Sequence, residues 1–331
     1  MILWVLCVLA LIAWGLGRRS SQDINLLTHY RGKLRSYAAA RAGINKALDL
    51  LRQSKSQKDT LYTSGINIEM TQNPKTLFSH IDIGKNAYTS IEWKARHFNT
   101  TEQDPIEYGL RDESGRININ ALGIANYPIL SALLELKGVT KAQADHLAQA
   151  IINYTGGTNQ TGSRSSFLDL NESRLKQKNK PYENILELLQ VEGMTQEIFN
   201  KIKDDVTVFG NPLNGVWINV FTANNDVIAA VAQAAVRLNP SISPETIKTK
   251  AYALRDGADG RSFTLDDGAV SINTINSPDW PPVFQEGQSN YYNARVVGVD
   301  QDSQVRTVLE AVIHYTPGSK SEILSWKEAG E

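Results

Sequence analysis

The sequence predicts an α+β protein in which one long N-terminal helix packs on an antiparallel sheet and a large, mostly helical domain is inserted into that sheet. Three observations carry this. An apolar run over residues 1–17 leads, with no proline, into helical periodicity that lasts to residue 52. Strand-like alternation follows at 87–95 and 106–111, and returns only at 290–300 and 305–315. The text between, from about 127 to 256, is helical. A β region split by a long helical stretch is explained more simply by an insertion than by three separate domains.

The apolar run (MILWVLCVLALIAWGLG) carries no charge until Arg18 and Arg19. At about 17 residues it is at the lower limit for crossing a bilayer as a helix. A cleaved signal peptide is the competing reading. That needs a basic start and a small-x-small cleavage site, and residues 1–21 supply neither. Beyond the arginines, Leu27, Tyr30, Leu34, Tyr37, Ile44, Leu48 and Leu51 recur at helical steps, while Arg31, Lys33, Arg35, Asn45 and Lys46 fill the other side. This is one apolar stripe on an amphipathic helix. A continuous rod from residue 1 to 52 would be on the order of 75 Å long. Its upper half is expected to pack on the sheet. Its lower stripe, Leu27, Tyr30, Leu34 and Tyr37, is expected to meet partner helices.

The strand segments alternate as half-buried antiparallel strands do, and Asp300-Gln301-Asp302-Ser303 reads as a hairpin loop. The helical region holds a weak internal repeat. Residues 129–153 (ILSALLELKGVTKAQADHLAQAIIN) and 184–206 (NILELLQVEGMTQEIFNKIKDDV) each read as a short helix, a Gly turn, a Thr cap and a second helix. The pattern is a helix-hairpin-helix, of the SAM-like kind. A Gly/Ser/Asn-rich stretch over 154–180 separates the units as a surface loop. Ile-Asn recurs at Ile117-Asn118, Ile218-Asn219 and Ile272-Asn273, where the Asn can cap the following turn. The resulting division is 1–17 transmembrane segment, 18–52 stem, 53–120 first part of the sheet domain, 121–275 inserted helical domain and 276–331 returning strands.

Composition narrows the function. The 331 residues are enough for about two domains. A net charge of -1 gives no general attraction to nucleic acid or anionic lipid. The single cysteine, Cys7, excludes an intrachain disulfide. Histidines at 29, 80, 97, 146 and 314 are scattered, and no nucleophile elbow, zinc-protease, P-loop or dinucleotide motif occurs. An enzyme is not expected. Asn-x-Ser/Thr sequons at Asn99, Asn153, Asn159 and Asn171 read as chance in an Asn-rich chain.

Two chemistries remain. Helix-hairpin-helix units can bind DNA by aiming the N–H groups of a Gly-x-Gly hairpin at a phosphate. Here Thr140 and Thr195 replace the second Gly, and Glu192 adds negative charge. A protein-interaction module is the reading preferred, with a membrane-tethered DNA-uptake receptor as the alternative. Asp256, Asp259, Asp266 and Asp267 could offer oxygen ligands to calcium. A solvated Asp/Gly turn is the other reading. Asp112 and Glu113 form a weaker candidate of the same kind.

Together these segments resemble the minor pseudopilin K family (GspK) of bacterial type II secretion. The resemblance is carried by the apolar start at Ile2-Leu3-Trp4-Val5-Leu6, by AARAGINKAL at 39–48 and by RDESGRININ at 111–120. KPYENILELLQVEGMT at 180–195, WINVFTAN at 217–224 and ILSWKE at 323–328 continue it. It implies a pilin-like domain with a helical insertion, at the tip of a periplasmic pseudopilus. It implies an inner-membrane anchor, minor pseudopilins I and J as partners, and calcium bound by head loops. Most pilins carry a Glu near the start of the apolar segment, paired to the amine of a neighbouring subunit. This chain has no acidic residue before Asp23. A tip subunit has no subunit ahead of it, and a buried carboxylate without its partner is costly. A basic leader ending in Gly is expected upstream of Met1, which would make prepilin peptidase a further partner. Losing that leader would also remove the conflict between Arg18-Arg19 and the positive-inside rule.

Overall fold

A computed structural model describes residues 2–51, 74–84, 86–100, 106–155, 178, 180–210, 215–264, 267, 272, 280–286, 290–315 and 321–329. The first element, α1, is one helix over Ile2–Leu51. Its 50 residues give a rod about 75 Å long. No proline interrupts it, and alanines at 38–40 and 42 favour helix intrinsically.

A short helix α2 (Pro74–Phe78) precedes the sheet. The strands are β1 (Ile81–Gly84), β2 (Ala87–Lys94), β3 (Ile106–Tyr108), β4 (Arg111–Asp112), β9 (Tyr291–Asp300), β10 (Arg306–His314) and β11 (Glu322–Ala329). The order is β1-β2-β9-β10-β11, all antiparallel, with β3 on β2 and β4 on β9. The segment expected as one strand at 106–111 is divided at Gly109, whose φ of 114° no side-chain-bearing residue adopts cheaply. The Asp300–Ser303 loop forms as expected: one Asp300 carboxylate oxygen accepts from the Ser303 N–H at 2.9 Å and hydroxyl at 2.6 Å.

Helix α1 lies across β2, β9 and β10. Ile91, Val296 and Leu309 sit abreast on those strands, and with Ala40, Ile44, Ala47 and Leu51 they form the core between helix and sheet.

The helical body, enclosed in sequence by β4 and β9, has its own larger core. It contains α3 (Tyr127–Leu136), α4 (Lys141–Tyr154), α5 (Gln196–Ile202), α6 (Asn225–Leu238) and α7 (Pro244–Arg255). Two parallel pairs, β5 (Ile117–Asn118) with β6 (Val206–Thr207) and β7 (Ile218–Asn219) with β8 (Phe284–Gln285), tie its segments together. The Ile-Asn repeat explains this pattern. Ile117 and Ile218 are buried in the core, while Asn118 and Asn219 accept from the N–H groups of Asn120 at 3.0 Å and Phe221 at 3.1 Å. Residues 273–274 of the third copy lie outside the described residues.

The two hairpin units differ. The first is α3, a turn at Gly138 (φ 91°) and α4; the second turns at Gly193 (φ 85°) into α5. Its leading helix, Ile185–Gln190, is a 3-10 helix opened by an Asn184–Glu187 capping box. Thr195 caps α5 through the Ile198 N–H at 3.2 Å. Thr140 holds the same position, but its hydroxyl bonds the Gln143 side chain. Between the units, Lys178 N–H donates to the Tyr154 carbonyl at 2.8 Å, so the ends of the predicted loop meet; most of that loop lies outside the described residues.

Candidate assembly interface

The stem shows two faces. Gly32, Ser36, Ala39, Ala40, Gly43, Ile44, Ala47 and Leu51 are buried. Leu27 (58% exposed), Tyr30, Leu34 (71% exposed) and Tyr37 are not. The single stripe expected from the sequence is therefore corrected. Its upper members Ile44 and Leu51 face the sheet, but the lower four lie about a third of a turn away.

Small residues decide the docked face. A Cβ placed on Gly298 of β9 would lie 2.0 Å from the Ser36 carbonyl oxygen and 2.4 Å from the Ala40 nitrogen. One on Gly43 would lie 2.5 Å from Val296 and 2.6 Å from the Thr89 hydroxyl. Helix and strand backbones thus touch where neither has a side chain in the way. The Ser36 and Thr307 hydroxyls, both buried, bond each other across the same contact at 2.7 Å. Arg35 reaches the hairpin, 2.7 Å from Asp302 and 3.4 Å from Asp300. Burial acts to raise the Asp300 carboxyl, but the Ser303 donors and the Arg35 guanidinium outweigh it and hold it below its ordinary value. On the other flank Lys33 pairs with Glu328 of β11 at 3.4 Å.

Below Gly32 the helix leaves the sheet. Ile24, Leu26, Leu27 and Tyr30 are exposed there, as are Ile2, Trp4, Leu9 and Trp14 of the apolar run. Among the described residues no helix is long and apolar enough to cross a membrane.

Of the proposed calcium ligands, Asp256, Asp259 and Asp267 lie among the described residues, and these three do not form a metal-holding group. Asp256 is fully buried and saturated. Its Oδ1 accepts from Arg255 Nε at 2.6 Å and the Ser262 hydroxyl at 2.7 Å. Its Oδ2 accepts from Arg255 Nη2 at 2.8 Å and Asn99 Nδ2 at 2.6 Å. All four lone-pair positions of a carboxylate are taken, which removes Asp256 from the ligand set. Its role is structural. With Asn225, whose N–H donates to the His97 carbonyl at 2.7 Å, it fastens the helical body to the end of β2. Asp259 and Asp267 both approach the Thr264 hydroxyl, at 3.3 and 3.0 Å. Asp267 also accepts from the Phe263 and Thr264 N–H groups. Asp266 lies outside the described residues. Among the described residues no three acidic, His or Cys side chains could hold a metal together. Asp112 and Glu113 are buried and serve the chain: Asp112 caps Ser114 N–H at 2.8 Å, and Glu113 pairs with Arg116 at 3.1 Å.

Three of the hairpin N–H groups that could meet a phosphate are already engaged within the chain. Gly138 and Val139 donate to the carbonyls of Glu135 and Leu134 at 2.9 and 3.0 Å, and Met194 donates to Val191 at 3.1 Å.

The sequence reading missed two features of this surface. The small-residue face at 32, 36, 40, 43 and 47 does recur at helical steps, but a pattern of Gly, Ser and Ala carries little hydrophobic signal. Strand β11 was seen only as a family motif, because Ile323, Leu324 and Trp326 do not alternate cleanly with polar residues.

Comparison with known proteins agrees with this architecture. Residues 115–211 match the family model described as type II secretion system (T2SS), protein K. No curated protein matches the chain. A chain in the crystal structure of the GspK–GspI–GspJ complex from the type 2 secretion system of enterotoxigenic Escherichia coli shares the fold, with a TM-score of 0.52. Sequence identity is 15%, over 95% of this chain and 99% of that one. The matched segment begins at the Gly115 turn, spans both hairpin units and ends just after β6, so that segment is similar to the type II secretion protein K family.

Proposed function

We propose that this protein is a minor pseudopilin that seats at the tip of the type II secretion pseudopilus and assembles with pseudopilins I and J. The observation that carries this is the exposed stripe of Leu27, Tyr30, Leu34 and Tyr37, on a helix whose upper half is already docked. Large apolar side chains left exposed on one helix face mark a surface for partners. The family is a periplasmic, membrane-associated one, and its structural role speaks for a protein that is not an enzyme. The finer placement is part of the proposal: residues 1–17 anchor the chain in the inner membrane and the head lies in the periplasm. The engaged N–H groups of Gly138, Val139 and Met194 speak against the DNA-receptor alternative.

The test is co-purification of full-length Leu27→Asp/Leu34→Asp with pseudopilins I and J. Loss of the complex from a folded head is expected; an intact complex would exclude the stem as a required contact.

Calcium remains a separate proposal on a reduced set, Asp259 and Asp267, with Asp266 adjacent in sequence. Thermal melts with 1 mM calcium or with chelator, repeated on Asp259→Ala/Asp267→Ala, decide it. A calcium-dependent rise in the wild type that the double variant loses is expected; no rise would remove the proposal.

A further inference from the structure

The sheet has two edges, and they are built differently. At one, β1 is short, its register on β2 shifts between Asp82 and Gly84, and both Gly84 and Asn86 have positive φ. Such an edge resists further pairing. At the other, β11 runs Glu322–Ala329 and is exposed along nearly its whole length. After an irregularity near Leu324, residues 325–329 pair with 308–312 in unbroken register. Among the described residues nothing pairs with the outer side of β11, so its backbone presents a regular row of donors and acceptors. Leu324 (43% exposed) and Trp326 (38% exposed) stand beside that row.

Charge selects what can lie there. On the face away from α1, a ladder crosses four strands with alternating sign. Glu92 on β2 pairs with Arg295 on β9 at 3.2 Å, and Arg295 approaches Glu310 on β10 at 4.0 Å. Glu310 pairs with Lys327 on β11 at 2.7 Å. The ladder ends on a cation at the edge, 60% exposed on its outer side. Opposite charges directly across a strand pair stabilise it, and like charges oppose it. Arg295 already bridges two carboxylates in this row, and Lys327 is placed to do the same for a strand laid outside it.

The edge also adjoins the stem stripe. Glu328 on β11 is held by Lys33. The neighbours of Lys33 one turn below and above it on α1 are Tyr30 and Tyr37. Stem stripe and strand edge therefore open to one side of the molecule.

We propose that β11 receives an added antiparallel or parallel strand from a neighbouring pseudopilin, with an acidic residue of that strand facing Lys327. Main-chain hydrogen bonds supply the pairing and the ladder supplies the choice of partner. This rests on the assembly with pseudopilins I and J proposed above.

Hydrogen exchange read by mass spectrometry, on the full chain alone and in complex with pseudopilins I and J, tests it without any substitution. Amides of residues 325–329 that face outward exchange quickly in the free chain and are expected to slow at least tenfold in the complex. A complex that forms while these amides exchange unchanged overturns the strand addition and leaves the assembly reading standing. Failure of the wild-type chain to form any complex overturns both. Lys327→Glu, checked for an unchanged melt, is expected to weaken the complex at least tenfold, and to be rescued by a Lys in place of the partner's acidic residue. An affinity unchanged by Lys327→Glu overturns the charge selection.

Discussion

Two faces of α1 share one backbone and have opposite designs. From Gly32 upward one face meets the sheet through Gly, Ser and Ala, with the large side chains Ile44 and Leu51 only at the top. About a third of a turn away, Leu27, Tyr30, Leu34 and Tyr37 are large and exposed. The docked face gains its contact by bringing two backbones close, which fixes one geometry and tolerates almost no added volume. The free face offers bulk, which suits the packing against other helices proposed above.

Three measurements sharpen that contrast. The largest effect should come from Gly298→Ala. The new methyl would sit on the Ser36 carbonyl and Ala40 nitrogen, atoms that can move only with the helix. Overpacking costs about 1–3 kcal/mol and occasionally more, and a backbone obstacle puts this variant at the upper end, about 3 kcal/mol in urea unfolding. A loss under about 1 kcal/mol would show that helix and strand separate easily, and the close-approach account would fail.

A smaller effect is expected from Arg35→Ala, because Arg35 is half exposed and solvent screens its pairing. The sign with pH follows from Asp300. Its carboxyl is held below the ordinary value of 3.8 in the folded protein. Its stabilisation is therefore complete above that value and lost as pH falls through the lower, folded one. Wild type and Arg35→Ala should differ at pH 7 and converge as pH falls through the lowered, folded value of Asp300. A gap that persists in acid would place Arg35's contribution in packing instead.

The smallest effect on stability is expected from Leu27→Asp/Leu34→Asp, within about 0.5 kcal/mol of wild type because both side chains already face outward. The same pair abolishes assembly under the proposal above. A marked drop in the melting temperature of the isolated chain would mean that this stripe is docked after all, and the contrast between the faces would dissolve.

Much of the fold was legible because it depends on local rules. The uninterrupted helix follows from periodicity and the absence of proline. The strands at 87–94, 291–300 and 306–314 follow from alternation, and the hairpin at 300–303 from its Asp and Ser. Gly138 and Gly193 fall where a helix must end in positive φ, and the Ile-Asn pairs at 117–118 and 218–219 cap the turns assigned to them.

What the sequence could not decide is which surfaces meet. Asp256 and its neighbours look alike as a string of carboxylates, yet Asp256 sits against Arg255, Ser262 and Asn99, the last of them 157 residues away, so that only folding brings it there. Leu34 and Ile44 carry the same hydrophobic signal, yet one is exposed and the other buried. Local chemistry sets how a segment curls, because it depends on a residue and its near neighbours. Which face of α1 is covered depends on where Gly298 of β9 allows the helix to approach, a constraint set more than two hundred residues away.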